Sequence, residues 1–177
     1  MVNGKLVFFT VLCVVIIDLV VARSCADAAQ GHDYLALVGG KCFILFKPQA
    51  NWSDVMTTCS HIFEGRMAFV ENNATLFAIE GWLNNVYKPI PLEGWWIGLL
   101  QVDTSVEPAD GWAWVNADHS VNHKSTPTNT PWRAGEPNNE GGDENCGYLL
   151  HKRGVFGLND GRCMLKRSFI CERSETA

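Results

Sequence analysis

Gly135-Glu136-Pro137-Asn138-Asn139-Glu140-Gly141-Gly142-Asp143-Glu144-Asn145-Cys146, followed thirteen residues after the cysteine by Asn159-Asp160, is the stretch of this 177-residue chain that carries the most chemistry. Oxygen-bearing side chains crowd it, and His is absent from it. Cys146 offers no thiolate once it is disulfide-bonded. Hard oxygen donors on a flexible loop suit Ca²⁺, which takes roughly six to eight of them, and do not suit Zn²⁺. Read alone, the same Asn, Gly, Glu and Pro content also describes a solvated turn. The surroundings have to decide.

Working outward, Gly147-Tyr148-Leu149-Leu150 and Ser168-Phe169-Ile170-Cys171 are strand candidates. So are the aromatic runs Trp95-Trp96-Ile97-Gly98-Leu99 and Trp112-Ala113-Trp114-Val115. Between Asn116 and Trp132 lies a Ser, Thr, Asn, His and Pro segment without periodicity, read as a long loop. Residues 34–47 read as two strands around a Gly39-Gly40 turn, ended by Pro48. A first helix starts at Asn51 or Ser53, with Val55, Met56, Cys59 and Phe63 on one face and Gly65 as its stop. A second starts near Asn73, which caps it. Leu76, Leu83 and Val86 form its stripe, Trp82 lies at the edge, and Pro89 and Pro91 terminate it. Helices first and strands later give an α+β class, not alternating βαβ units.

The opening of the chain is unlike the rest. Lys5 precedes an apolar run from Leu6 to Ile17, broken by Asp18 and resumed through Leu19, Val20, Val21 and Ala22. A basic start, an apolar stretch and then small residues read as a secretory signal peptide over residues 1–24. Cleavage after Ala22, Ser24 or Ala28 satisfies the small-residue rule. A retained membrane anchor is disfavoured by Asp18 and by a run shorter than the roughly 20 residues of a span. Residues 25–33 are then a short N-terminal segment and residues 34–173 one domain. Losing Lys5, Arg23 and Asp18 leaves the remainder one charge more acidic than the −5 of the whole chain. That balance offers no electrostatic footprint for nucleic acid or an anionic membrane.

Besides Cys13 in the leader there are six cysteines: Cys25, Cys42, Cys59, Cys146, Cys163 and Cys171. An even set in an exported chain implies disulfides, but six cysteines allow fifteen pairings and the sequence selects none. A cut after Ala28 removes Cys25 and leaves Cys42 odd. Asn51-Trp52-Ser53 and Asn73-Ala74-Thr75 are glycosylation acceptors by pattern, the first weakened by bulky Trp52.

Taken together, Cys59, Trp96-Ile97-Gly98-Leu99, Trp112-x-Trp114, Trp132-x-x-Gly135-Glu136-Pro137-Asn138, Glu144-x-Cys146, Asn159-Asp160-x-x-Cys163 and Phe169-Ile170-Cys171-Glu172 resemble the C-type lectin domain. The resemblance runs from about Tyr34 to Glu172. It implies two helices with small antiparallel sheets and a long loop region carrying a calcium and sugar site. It implies the pairs Cys59–Cys171 and Cys146–Cys163, and for Cys42 the extra bridge of the family's longer form, with Cys25 as the partner. The family's sugar-binding calcium site falls on Glu136, Asn138, Glu144, Asn159 and Asp160, all five present, with Pro137 expected cis. Glu-Pro-Asn resembles the binders of equatorial 3- and 4-hydroxyls, as in mannose, N-acetylglucosamine and fucose. The galactose-type Gln-Pro-Asp is absent. The implied protein is a secreted calcium-dependent lectin of mannose-type specificity, a recognition protein for microbial glycans. The alternative is the same fold binding a protein or another non-sugar ligand.

The chain departs from the family pattern in places. Leu158 replaces the usual Trp, Asn139 stands where an auxiliary calcium site has Asp, and Gln101 stands near another such carboxylate, which leaves Asp103 or Glu107 to compensate. An enzyme reading would make Glu136 and Glu144 a glycosidase pair, but a carboxylate on calcium is held ionised and cannot act as the acid. His119 and His123, four apart in the expected loop, read as surface residues and not as a zinc pair.

Overall fold

The computed structural model describes residues 25–174 apart from 28, 30, 38–39, 64, 88–93, 107, 125–129 and 153. The expected leader over residues 1–24, Gly39 of the expected turn, Pro89, Pro91 and Glu107 lie outside the described residues. Strands β1 (Asp33–Leu37) and β2 (Lys41–Ala50) form the expected hairpin, with Leu37 opposite Lys41. Pro48 does not end β2, as its missing N–H had suggested. The strand runs on to Ala50 because its pairing register shifts between Phe46 and Ala50, and Pro48 falls in that irregular interval where no ladder bond is required of it.

Helix α1 (Trp52–Phe63) is capped by Asn51, whose Oδ1 accepts the Asp54 N–H at 3.0 Å. It buries Trp52, Val55, Met56 and Cys59. Helix α2 (Asn73–Val86) is capped by Asn72 and not by Asn73. A cap sits outside the helix in extended backbone, and Asn72 does so while its Oδ1 accepts the Thr75 N–H at 3.0 Å. The buried face is Leu76, Ile79, Trp82 and Leu83, so Trp82 belongs inside the stripe.

The remaining strands are β3 (Arg66–Met67), β4 (Trp95–Gln101), β5 (Trp112–Val115), β6 (Val121–Lys124), β7 (Cys146–Lys152), β8 (Val155–Gly161) and β9 (Arg167–Ser174). They do not form separate small antiparallel sheets. Among the described residues they join β1 and β2 in one nine-stranded mixed sheet of order β1-β2-β9-β4-β5-β6, with β3 on β9 and β7 between β4 and β8. The pairings are antiparallel except β4 with β9. β6 lies inside the stretch expected to be loop. It is an edge strand whose ladder with β5 is made by backbone, so its side chains need no apolar alternation to hold it.

The core stacks aromatic side chains against β4, with Trp95, Trp96 and Trp114 almost wholly buried. Three disulfides staple it: Cys59–Cys171 ties α1 to β9, Cys146–Cys163 ties β7 to the turn after β8, and Cys25–Cys42 ties the N-terminal segment to β2. Glu172, only 1 % exposed, places a carboxyl group inside the fold. Arg66 supplies its partner, with Nη2 and Nε at 2.7 and 2.8 Å, and the Phe69 N–H donates at 2.9 Å. Lys41 Nζ lies further off, at 4.0 Å. The network ties β3 to β9, β9 pairs with β4, and β4 in turn pairs with β7.

Candidate functional site

The β7–β8 hairpin brings together the two oxygen-rich segments that are apart in sequence. Asn159 and Asp160 sit on β8 opposite Tyr148 and Gly147, and the Cys146–Cys163 bridge closes the base of the hairpin. The segment before the loop zips onto the same strand. Trp132 bridges to Leu158, Leu158 N–H donates to Pro131 O at 3.1 Å, and Arg133 N–H donates to Leu158 O at 2.9 Å. Leu158 is fully buried, so the smaller apolar residue keeps a packing role, while Trp132 packs edge-on against Trp112 at 5.0 Å.

Asp160 organises the loop. It is fully buried, and its carboxylate accepts the Asn138 N–H at 3.0 Å and the Asn139 N–H at 2.7 Å. The Glu136–Pro137 peptide is cis. The loop then closes on itself: Glu140 N–H donates to Asn138 Oδ1 at 2.8 Å and to Glu144 Oε2 at 2.9 Å, and Glu144 N–H donates to Asn139 Oδ1 at 3.0 Å. Asn139 has φ 48°, and Gly141 and Gly142 have φ 81° and 77°. Asn and Gly are the residues that enter this left-handed region at least cost. The run that reads as a solvated turn is therefore a turn, and its contacts with Asp160 set Glu136, Asn138 and Glu144 over the end of β8 that holds Asn159 and Asp160.

Burial, then a hydrogen bond to Asp160 and that residue's like charge, push the Glu136 carboxyl up to about 7, against the pull of Arg133. Burial also raises Glu144, opposed by the Glu140 N–H. Glu136 Oε2 is buried without a hydrogen-bond partner. Among the described residues no three His, Cys, Asp or Glu side chains are gathered closely enough to hold an ion unaided. The three carboxylates here work with two amides, so the whole donor set has to be tested. It fits a hard divalent cation. Every donor is oxygen, Glu136 Oε2 lacks any other partner, and the oxygens of Asn138, Glu144 and Asn159 each keep a lone pair beyond the hydrogen bond they accept.

The profile of the Lectin C-type domain matches residues 48–173. This chain belongs to the C-type lectin family. A C-type lectin lectoxin of Thrasops jacksonii is 27 % identical over 171 residues, which cover 96 % of this chain and 98 % of that protein. E-selectin of Bos taurus is 26 % identical over 74 % of this chain, which spans 26 % of the selectin's own length. A similar solved structure is the C-type lectin domain of murine dendritic cell inhibitory receptor 2 in complex with N-glycan, with TM-score 0.61, 26 % identity and coverage of 81 % of this chain and 97 % of that one. C-type lectin domains are typically calcium-dependent and are in general non-enzymatic binding modules. Their glycan-binding members include this last structure.

Other expected residues fall apart from the site. Gln101 is buried and its Nε2 donates to Asp110 O at 2.8 Å, while Asp103 Oδ1 accepts from Ser105 N–H and Oγ–H at 3.0 and 2.6 Å. These two side chains brace the β4–β5 connection. His119 is exposed in the turn from Asn116 to Ser120. Asn51 uses its Nδ2 on Asp54 Oδ2 at 2.8 Å, whereas Asn73 is exposed at the start of α2. Arg133 is the site residue that sequence reasoning missed. Its Nη1 donates to Asn159 Oδ1 at 2.9 Å. The available signal was a basic residue inside the Trp132-to-Gly135 spacer of an otherwise acidic segment. Among the described residues no helix is long and apolar enough to cross a membrane.

Proposed function

We propose that this C-type lectin is secreted and binds mannose-type glycans through one calcium ion held by Glu136, Asn138, Glu144, Asn159 and Asp160. The observation that carries the reading is the half-buried Glu136 carboxylate, its buried Oε2 without a hydrogen-bond partner and its charge facing that of Asp160 from the other segment. When bound, calcium supplies two positive charges and coordination positions for two neighbouring sugar hydroxyls. The protein does the selecting. Each hydroxyl has a proton to donate and a lone pair to accept with. Glu136 and Glu144 only accept. Asn138, exposed and with its Oδ1 occupied by the Glu140 N–H, has its Nδ2 hydrogens left to donate. Equatorial 3- and 4-hydroxyls of mannose, N-acetylglucosamine or fucose geometry suit that order, and microbial glycans are a source of them.

Export with removal of residues 1–24 belongs to the same proposal, and it retains Cys25 for its bridge to Cys42 in the manner of the family's longer form. So does glycosylation at exposed Asn73 in preference to Asn51, whose amide is engaged in capping α1. Catalysis has no place in it, since both glutamates are committed to the ion.

The double variant Glu136→Gln with Asn138→Asp reverses donor and acceptor order. Its expected result is mannose affinity at least tenfold weaker, about 1.4 kcal/mol, with preference moved toward galactose. A glycan array with wild type and variant checks this. An unchanged mannose preference would refute the assigned role of the pair.

A further inference from the structure

Arg133 enters the site from below. Gly157 on β8 makes the room: a Cβ there would lie 2.7 Å from Arg133 Cγ, so the arginine stem occupies the space of a missing side chain. Its backbone is tied on both sides, N–H to Leu158 O at 2.9 Å and carbonyl to the Glu136 N–H at 3.0 Å. From that seat the half-buried guanidinium donates to Asn159 Oδ1 at 2.9 Å and attracts Glu136. Asn159 is thereby held at both ends of its amide, since its Nδ2 donates to Asp160 O at 3.1 Å. An amide has nearly identical ends in shape and opposite ends in chemistry, so something must decide which end faces the ion. Arg133 can only donate, so it pairs with the oxygen end of the amide alone.

Charge gives the second half of the inference. Glu136, Glu144 and Asp160 contribute three negative charges, and Arg133 contributes one positive charge within the same cluster. Arg162 also acts on Glu144, but it is exposed and screened by solvent. With Arg133 counted, a divalent ion brings the cluster to neutrality instead of leaving it negative. We infer that Arg133 is a positioning residue which sets the ligand orientation of the Asn159 amide and, by its charge, weakens the hold on calcium so that the ion stays exchangeable. This rests on the calcium reading given above.

The two roles separate by substitution. Arg133→Met removes charge and fork, and Arg133→Lys keeps the charge but loses the fork. Calcium titration calorimetry at pH 8 is expected to show Arg133→Lys binding calcium severalfold more weakly than wild type, because the fork on Asn159 is lost, and Arg133→Met binding it about three- to tenfold more tightly than Arg133→Lys, because a nearby like charge is gone. The side-chain ¹⁵N–¹H signals of Asn159, recorded in EDTA, are expected to move or broaden in both variants. Affinity for methyl α-mannoside at saturating calcium is expected to fall severalfold in both. Calcium affinity in Arg133→Met no tighter than in Arg133→Lys, or Asn159 signals unmoved in both variants, would overturn the inference. Should Arg133→Met not fold, Arg133→Gln carries the charge test. Wild-type protein that takes up no calcium would overturn the parent reading instead, and the Asn159 signals in EDTA would still decide the contact with Arg133.

Discussion

Asp160→Asn is expected to abolish calcium-dependent sugar binding, with calcium affinity down by about a hundredfold or more. The substitution changes shape hardly at all, which makes the chemistry the cause. Asp160 is fully buried and its carboxylate accepts backbone N–H groups from Asn138 and Asn139. An asparagine keeps one acceptor and sets an NH₂ group against a donor or the ion. Losing a charged acceptor and leaving a buried polar group unsatisfied costs on the order of 3 kcal/mol, which is that hundredfold. The loop from Glu136 to Glu144 then loses its fixed point on β8. The rest of the domain is expected to keep its fold, because the Cys146–Cys163 bridge and the β7–β8 ladder do not depend on this side chain. Calcium calorimetry with far-UV circular dichroism on the same sample checks both statements. Calcium affinity within threefold of wild type would contradict the role given to Asp160.

The second large effect is on pH. Carboxylates with ordinary values near 4 would hold calcium until strong acid. Glu136 is different, because burial and Asp160 push it up to about 7. A calcium ion must displace that proton, so the sign is fixed: affinity is full above about 7 and falls as pH drops through it, by about tenfold per unit for one proton. Between pH 8 and pH 5.5 the expected loss is more than tenfold, well before acid disturbs the disulfide-stapled core. Calcium titrations in buffers of different ionisation enthalpy measure the proton released on binding near pH 7. A flat affinity down to pH 5, with no proton released, would refute this account of Glu136. The amino-acid sequence alone places the acid limit nearer pH 4–5, since burial and the approach of Asp160 are properties of the fold.

The five candidate ligands came from the family resemblance, and the fold brings the loop that holds Glu136, Asn138 and Glu144 onto the strand that holds Asn159 and Asp160. Some of the fold could be read directly from the sequence, such as the helices, whose apolar spacing survives in Val55, Met56, Cys59, Leu76 and Leu83. What was not legible has physical causes. Strand β8 reads Val155-Phe156-Gly157-Leu158-Asn159-Asp160-Gly161, where turn-forming residues hide the strand pattern. A Cβ at Gly157 would meet Arg133, and Asn159 and Asp160 turn their side chains to the loop segment, so tertiary contacts override local propensity here. Strand β6 has Val121 and Asn122 exposed at the sheet edge and shows no alternation to read. Arg133 was invisible because its importance comes from the parallel bridge between Trp132 and Leu158, a contact that no local pattern announces. Pro48 misled for the opposite reason: a strong local signal was absorbed by an irregularity in the ladder.

The central claim, that calcium held by the Glu136-to-Glu144 loop and β8 mediates sugar binding, is tested most directly on immobilised mannan. The protein is applied in calcium at pH 7.5, washed, and eluted with EDTA at the same pH. The predicted result is retention in calcium, complete release in EDTA, and a far-UV spectrum unchanged by the chelator. Protein that stays on the column in EDTA would contradict the calcium mechanism, and protein that never binds mannan in calcium would contradict the mannose-type assignment.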